Sequence, residues 1–479
     1  MAAAVTPVPV LTTKRGKQIL MLVLAVAFLD FVDASIVNVA LPSIRADLGF
    51  SVQNLQWVVS GYLITYGGFL LLGGRCADVL GRRRVLLAGL IALAAASALG
   101  TVASDPTLLI ATRFIKGVSA AFTAPAALSI LTTSFAEGQR RNRALGLYAA
   151  GAAAGFTFGL VVGGLLTELS WRSTFAAVVP VALVLFTATR RIVRPDAKTS
   201  TARAQLDLGG AVLVTGAMLV FVRAIVVAPE AGWLSAQTLI SFGLAVALMA
   251  GFVAVERRVE RPLVRFGIFR SGLLVRANVG SALLFGGATA FNVVNTLYLQ
   301  DVLGWSPLET GLAFMASSLV TAFVGPRAGA LASRIGADLL AVAGGLATLL
   351  ASLVLLRIGT SADLSVILAA RLFAGLGFAL AYPVLNIQAL SGVRDDEQGL
   401  ASGLVGSSFQ IGGAVVLAIT TAVLVGATPD HATAAQTVSG FKSGIGVTAM
   451  VNGLLIALSL FGLLANRIRR TWLLALPRP

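Results

Sequence analysis

Residues 19–42 read ILMLVLAVAFLDFVDASIVNVALP. The run is long enough to cross a bilayer, whose core takes about 20 residues of helix, yet Asp30 and Asp33 lie close to its middle. An aspartate at that depth costs roughly 2.5–3.5 kcal/mol on insertion scales unless a partner or water supports it. Some other part of the chain must balance these acids, and the balancing residues are candidates for the working site.

The chain of 479 residues is 57% hydrophobic and only 12% charged, with a mean hydropathy of +0.91. That composition belongs to a polytopic membrane protein, because a soluble chain of this length needs charged surface around several cores. The formal charge of +16 does not indicate a nucleic-acid partner. The bases are dispersed in short clusters between apolar spans and are not gathered on one reading face. Cys76 is the sole cysteine, so neither a disulfide framework nor a cysteine metal cluster is expected. Lys14, Arg15 and Lys17 ahead of the first run imitate a signal peptide. The run is too long and lacks a convincing A-x-A cleavage site, which makes it a retained first helix.

About fourteen spans can be drawn, with limits near 19–40, 54–74, 84–103, 107–133, 142–167, 172–189, 206–228, 235–255, 273–299, 307–329, 339–357, 362–390, 398–426 and 444–465. Basic residues set the orientation. With the N-terminus inside, inner segments hold Arg82, Arg83 and Arg84, then Arg140, Arg141 and Arg143, then Arg190, Arg191, Arg194, Lys198 and Arg203. Later inner segments hold Arg257, Arg258, Arg261, Arg265 and Arg270, and the tail holds Arg467, Arg469 and Arg470. Outer loops hold only Arg45, Arg172, Arg357 and Lys442. Both termini are expected on the cytoplasmic side of the cell membrane. The basic connectors 190–205 and 256–272 bracket the seventh and eighth spans like an insert.

An internal repeat supports that division. Arg113, Gly117 and Pro125 in the fourth span recur as Arg371, Gly375 and Pro383 in the twelfth, with the same spacing. Gly74 to Gly81 has an echo in Gly329 to Gly336, Ala144-Leu-Gly146-Leu147 in Ala401-Ser-Gly403-Leu404, and Asp47-Leu-Gly49-Phe-Ser51 in Val302-Leu-Gly304-Trp-Ser306. Echoes in one order and at nearly one offset imply two halves of like topology. Transporters built this way hold their site between the halves.

Asp33-Ala-Ser-Ile-Val-Asn-Val-Ala-Leu-Pro42 resembles the first-helix motif D-x-T-x-V-x-V-A-L-P, and Gly74 to Arg84 resembles the loop motif G-x-L-A-D-R-x-G-R-R. Gln56-Trp57 with Tyr62, Trp171-Arg172 with Phe175 and Pro180, and Tyr298-Leu-Gln300 before Leu303-Gly304 are of the same type. Together these residues resemble the fourteen-helix drug:proton antiporter branch of the major facilitator superfamily, over nearly the whole chain. The resemblance implies an all-α membrane protein with two six-helix bundles, 1–190 and 271–479, and a linker with two extra helices, 191–270. It implies a gating role for Gly74, Asp78, Gly81, Arg82 and Arg83, as a latch that closes in one state and breaks in the other. A plain topology signal with a stable turn is the alternative.

Gly151, Gly155, Gly159, Gly163 and Gly164 in the fifth span allow close helix contact. The family's antiporter motif G-x3-G-P-x2-G-G fits Gly155, Gly159, Gly163 and Gly164, with Leu160 standing at the proline position. Lys116 likewise replaces a usual glutamine, and Asp30 is an acid that the first-helix motif does not call for.

Residues three apart share a helical face, so Asp30 and Asp33 form one pair of neighbours and Arg113 and Lys116 another. At about 1.5 Å per residue, Asp33 and Arg113 both lie ~21 Å from the cytoplasmic edge of a ~30 Å core, and Asp30 and Lys116 both lie ~16 Å from it. Depth therefore predicts two stacked pairs, Asp33 with Arg113 and Asp30 with Lys116. Asp33 is expected to carry the proton, Arg113 to promote its release, and the second pair to titrate as well. Two fixed ion pairs that serve only bundle stability are the alternative. Arg371 lacks an obvious acid. With Asn38, Tyr62, Tyr66, Asn292, Asn295, Asn386 and Gln410 it is a candidate for the substrate cavity.

No nucleotide, metal or nucleophile motif is present, and no G-x4-G-K-[ST] suggests ATP use. The expectation is a transporter, not an enzyme, that has no cofactor beyond the proton gradient and works as a monomer. It would export hydrophobic small molecules such as drugs or antibiotics in exchange for protons, in contact with membrane lipid and with no nucleic acid. A facilitator or importer of a metabolite, with structural membrane charges, is the alternative reading. A non-transporting receptor would need a soluble domain longer than any loop here.

Overall fold

The computed structural model describes residues 13–135, 139–195, 207–259, 262–361, 363–394, 397–429 and 431–475. Lys198, Arg203 and Arg261 of the basic connectors lie outside them, as do the side chains of Arg140 and of the tail arginines. The first half comprises α1 (Lys14–Ile36), α2 (Leu41–Leu48), α3 (Val52–Leu55), α4 (Trp57–Leu80), α5 (Arg82–Thr101), α6 (Pro106–Ser134), α7 (Gln139–Leu169), α8 (Trp171–Ala176) and α9 (Val178–Ile192). Then come α10 (Leu208–Ala231) and α11 (Ala236–Glu256). The second half comprises α12 (Gly272–Leu297), α13 (Pro307–Ile335), α14 (Ala337–Leu355), α15 (Leu364–Leu390), α16 (Gln398–Gly426) and α17 (Ala434–Ala475).

Among the described residues, 14 helical segments are long and apolar enough to cross a membrane, and no strand is present. They coincide with the fourteen hydropathy spans to within a few residues at most ends. The last begins earlier than its apolar core, at Ala434, because its first turns are polar but still helical. Apolar runs form these helices because lipid offers no partner to a backbone amide, so each segment must satisfy its own. Their starts are chemically marked. Asp105 accepts from Leu108 N at 3.0 Å ahead of α6, and Ser306 and Glu309 form a capping box ahead of α13. Asp363 caps α15, and hydrogen bonds from the Ser365 hydroxyl and the Val366 amide hold its carboxyl below the usual carboxylate range.

The internal repeat is visible in the backbone. Gly49 and Gly304 share a φ of 69°, and Gly81 and Gly336 turn at 97° and 95°, left-handed values that favour glycine. Gly117 abuts the Tyr62 backbone and Gly375 the Ser317 backbone, so a Cβ at either would clash. Gly49 and Gly304 lie at one end of the bundle, and Gly81 and Gly336 at the other.

Two seams join the halves. On one, α4 meets α16, where a Cβ on Gly67 would stand 3.0 Å from the Ser407 carbonyl and one on Gly413 2.9 Å from Leu63. On the other, α7 meets α13, with Gly164 close to Pro307 and Gly311 close to the Leu160 carbonyl. The inserted α10 lies across the first seam, touching α4 and α16, and α11 packs on α10. Glu256 accepts from Val264 N at 3.0 Å and so fastens the following connector to the insert.

Candidate functional site

The acids and bases singled out from the sequence do meet, and of the two expected pairs Asp33–Arg113 forms while Asp30–Lys116 does not. Asp33 (1% exposed), Arg113 (1%), Lys116 (1%) and Asp30 (5%) are all buried. Lys116 Nζ contacts Asp33 Oδ1, and Arg113 Nη1 stands 3.8 Å from Asp33 Oδ2. Both bases therefore converge on one acid. Asp30 receives the Thr123 hydroxyl at 3.1 and 2.9 Å on its two oxygens and forms no ion pair among the described residues. The expected Asp30–Lys116 pair is corrected to Asp30–Thr123.

The physical reason is the lean of side chains. In a helix each Cα–Cβ bond tilts toward the N-terminus, and α1 and α6 run in opposite directions. Acids on α1 lean toward the Gly81 end, and bases on α6 lean toward the Gly49 end. A base at one depth thus reaches the acid about one turn nearer the Gly49 end, ~5 Å along the axis. Lys116 passes Asp30 and finds Asp33. Arg113 overshoots in the same sense, so that its Nε donates to the Val58 carbonyl at 2.7 Å and its guanidinium lies 4.7 Å from the Tyr62 ring centroid. Lys116 also lies 4.6 Å from the Phe175 ring.

A double-mutant cycle on thermal stability tests the revised pairing. Asp30→Asn and Thr123→Val should couple by about 0.5–1.5 kcal/mol, as expected for a buried side-chain hydrogen bond. Asp30→Asn and Lys116→Gln should be additive. A larger coupling for Asp30 with Lys116 than with Thr123 would restore the pairing by depth.

Other expected residues fall into distinct groups. Asn38 Nδ2 is used by its own helix, donating to the Ser35 and Ala34 carbonyls at 3.1 and 3.4 Å where α1 breaks. Asn386 does the same, donating to the Tyr382 carbonyl at 2.9 Å. Tyr62 and Tyr66 stack edge to face, 5.8 Å between centroids. Asn292 Oδ1 accepts from Arg371 Nη1 at 2.6 Å. Asn295 Nδ2 bonds the Phe291 carbonyl at 2.8 Å, which leaves its Oδ1 without a partner. Gln410 stands on the α4–α16 seam beside Gly67, with its buried amide oxygen unpartnered.

The motif glycines have a clear structural role. A Cβ on Gly155 would meet the Phe28 carbonyl at 2.5 Å, one on Gly159 the Val32 carbonyl at 2.8 Å, and one on Gly163 the Ile36 carbonyl at 2.6 Å. The stripe presses α7 onto the helix that carries both acids. Leu160 leaves α7 a continuous helix, and its carbonyl faces Gly311 of the second half. At the Gly81 turn, the close approach belongs to Gly73, whose Cβ would fall on the Ala121 backbone, whereas one on Gly74 would stand 3.8 Å from Pro125. Arg83 donates to the Arg190 carbonyl at 2.8 Å. Asp78 is exposed and makes no hydrogen bond or ion pair among the described residues.

Sequence reasoning missed the ties between the halves at the Gly49 end. Arg45 pairs with Asp301 at 2.9 Å, Gln300 Nε2 donates to the Val39 carbonyl at 2.9 Å, and Leu308 N donates to Glu168 at 3.3 Å. A signal was available. Arg45 is one of few bases in the outer loops, and the internal repeat sets it opposite Gln300, next to Asp301.

The model described as Major Facilitator Superfamily matches residues 23–417, with an overlapping match over 277–458. The chain belongs to that superfamily. Within the superfamily it is 38% identical over 444 residues to the puromycin resistance protein of Streptomyces alboniger, covering 89% of this chain and 86% of that one. It is 39% identical to the cephamycin export protein of Amycolatopsis lactamdurans, covering 85% of each. The lincomycin resistance protein of Streptomyces lincolnensis is 34% identical, covering 85% of this chain and 84% of its own. A superfamily structure, the peptide transporter POT in complex with sulfate, superposes with a TM-score of 0.70 at 18% identity, covering 95% of both chains. That likeness shows the fold, and this chain is a multi-pass membrane protein of the major facilitator type.

Proposed function

We propose that this major facilitator protein exports hydrophobic small molecules, antibiotics among them, in exchange for protons. The observation that carries the reading is the buried cluster in which Asp33 holds both Lys116 and Arg113. A proton on Asp33 removes its charge and with it the attraction to both bases. The α1–α6 contact then has two arrangements, one for each protonation state, and a change of that contact is a natural trigger for rocking one half against the other. The names of the relatives, which include an export protein and resistance proteins, supply the direction and the class of cargo. The Gly81 end, with Arg82, Arg83, Arg84, Arg190 and Arg191, is assigned to the cytoplasm by the bias of basic residues, and both termini go with it. The membrane potential would contribute roughly 2.3 kcal/mol per charge per 100 mV. The protein is taken to act as a monomer in lipid, with the two halves as its moving bodies and α10–α11 as a separate linker unit.

The test uses everted vesicles energised to hold an acidic lumen. Adding puromycin, lincomycin or a member of a wider drug panel should release protons in proportion to drug uptake. A pH gradient left untouched by every compound, with facilitated uptake of a metabolite in its place, would favour the importer.

The ties gathered at the Gly49 end fit a state closed to the outside. Asp301→Lys sets like charge against Arg45. It should raise labelling of a cysteine placed at Ala40 by a membrane-impermeant maleimide several-fold, and the exchange Arg45→Asp with Asp301→Arg should bring it back down. Labelling indifferent to the Asp301 charge would mean that the pair does not hold this end shut.

A further inference from the structure

Arg371 is the twelfth-span counterpart of Arg113, and each is the eighth residue of its helix. The surroundings of the two differ in charge. Arg113 has Asp33, and Arg371 has no acid within ion-pair distance among the described residues. It is 1% exposed. Its Nη1 donates to Asn292 at 2.6 Å, and Nε and Nη2 have no acceptor. The guanidinium lies 3.2 Å from the Phe314 ring centroid and 5.3 Å from that of Phe291. Two aromatic faces offset only part of the cost of drying a guanidinium, and two unused donors in a fixed fork suit a carboxylate.

Position adds to the argument. Phe314 lies one turn from Gly311, the α13 glycine that touches the Leu160 carbonyl across the halves, and Phe291, Phe314, Tyr62 and Leu63 share one apolar cluster. Arg371 therefore stands beside the seam where a cargo would lie. Of the buried bases among the described residues, Arg113 and Lys116 face Asp33, and Arg371 faces no acid within ion-pair distance.

Resting on the export reading, we propose that Arg371 is a binding residue for an anionic group, foremost a carboxylate, on an otherwise hydrophobic cargo. The cargo supplies the acid that Arg371 lacks among the described residues, and the aromatic rings of Phe291 and Phe314 cover its apolar flank. Of two compounds alike but for one group, the free acid is then held in preference to its ester.

Rhodamine B and its ethyl ester make such a pair, since both carry the same cationic ring system and only the first carries a carboxylate. Binding to detergent-purified full-length protein is read by fluorescence polarisation at neutral pH. The wild type should bind the acid about tenfold more tightly than the ester, the scale of one charge-assisted hydrogen bond. Arg371→Gln should remove the preference while keeping ester binding, which also reports a folded protein. Arg371→Lys should keep part of it. Equal affinities in the wild type, no binding of the acid, or an undiminished preference in Arg371→Gln would each overturn the proposal. Binding in detergent needs no proton gradient, so a failure of antiport in vesicles leaves this readout standing and the two ideas fail separately.

Discussion

Asp33→Asn should abolish drug-stimulated proton release in everted vesicles and leave drug binding within a few-fold of the wild type. The substitution keeps the shape of the side chain and removes the one acid that Lys116 and Arg113 share. Nothing nearby replaces it, because Asp30 is turned toward Thr123. Stability falls as well, since two buried bases lose their counter-charge. Breaking a buried pair typically costs about 3–5 kcal/mol, visible as a lower melting temperature in detergent. Adding Lys116→Met to Asp33→Asn should recover much of that stability and none of the antiport. This separates the charge's structural task from its coupling task. Uphill export by Asp33→Asn would remove Asp33 from the mechanism, and full recovery of antiport in the double variant would mean that the cluster is only a brace.

Gly159→Val prevents α7 from seating on α1. Its Cβ would stand 2.8 Å from the Val32 carbonyl and closer still to the Ser35 hydroxyl, and helical backbone on both sides cannot yield locally. Helices in lipid associate through close packing and not through expulsion of water, so a gap along the Gly155–Gly163 stripe forfeits the contact that holds the acid-bearing helix. Overpacking costs roughly 1–3 kcal/mol in well-packed cores, and the loss here should sit at or above that range. Size-exclusion profiles in detergent should show little monodisperse protein. Gly146→Val is the control on the same helix, because a Cβ there meets nothing within 4 Å. Equal behaviour of the two variants would show that the stripe is dispensable.

The positions of the fourteen helices could be read in the sequence because lipid imposes one requirement, an unbroken apolar stretch of sufficient length. The internal repeat was also legible, and it returns as matched left-handed turns at Gly49 and Gly304 and at Gly81 and Gly336. The membership of the charged cluster was visible, since an acid inside an apolar span demands a base. Of its pairing, Asp33 with Arg113 was legible and Lys116 with Asp30 was not, because equal depth of Cα atoms is not equal depth of charges. Lys116 carries its ammonium toward the Gly49 end while Asp30 leans toward Thr123. The direction of lean was open to sequence reasoning once α1 and α6 were known to be antiparallel. Thr123 was not singled out, because one hydroxyl in an apolar helix looks like any other.

By itself the sequence determined that the chain crosses the membrane, where its helices lie, that it repeats, and that Asp33 and Arg113 belong to one site. These follow from local hydropathy and from residue spacing along single helices. Only the tertiary structure decided which base serves which acid, that Arg371 stands without one beside the seam, and that Arg45 and Asp301 tie the halves at one end. Those contacts join residues far apart in the chain, and they depend on the tilt, facing and direction of pairs of helices, quantities that a one-dimensional pattern does not carry.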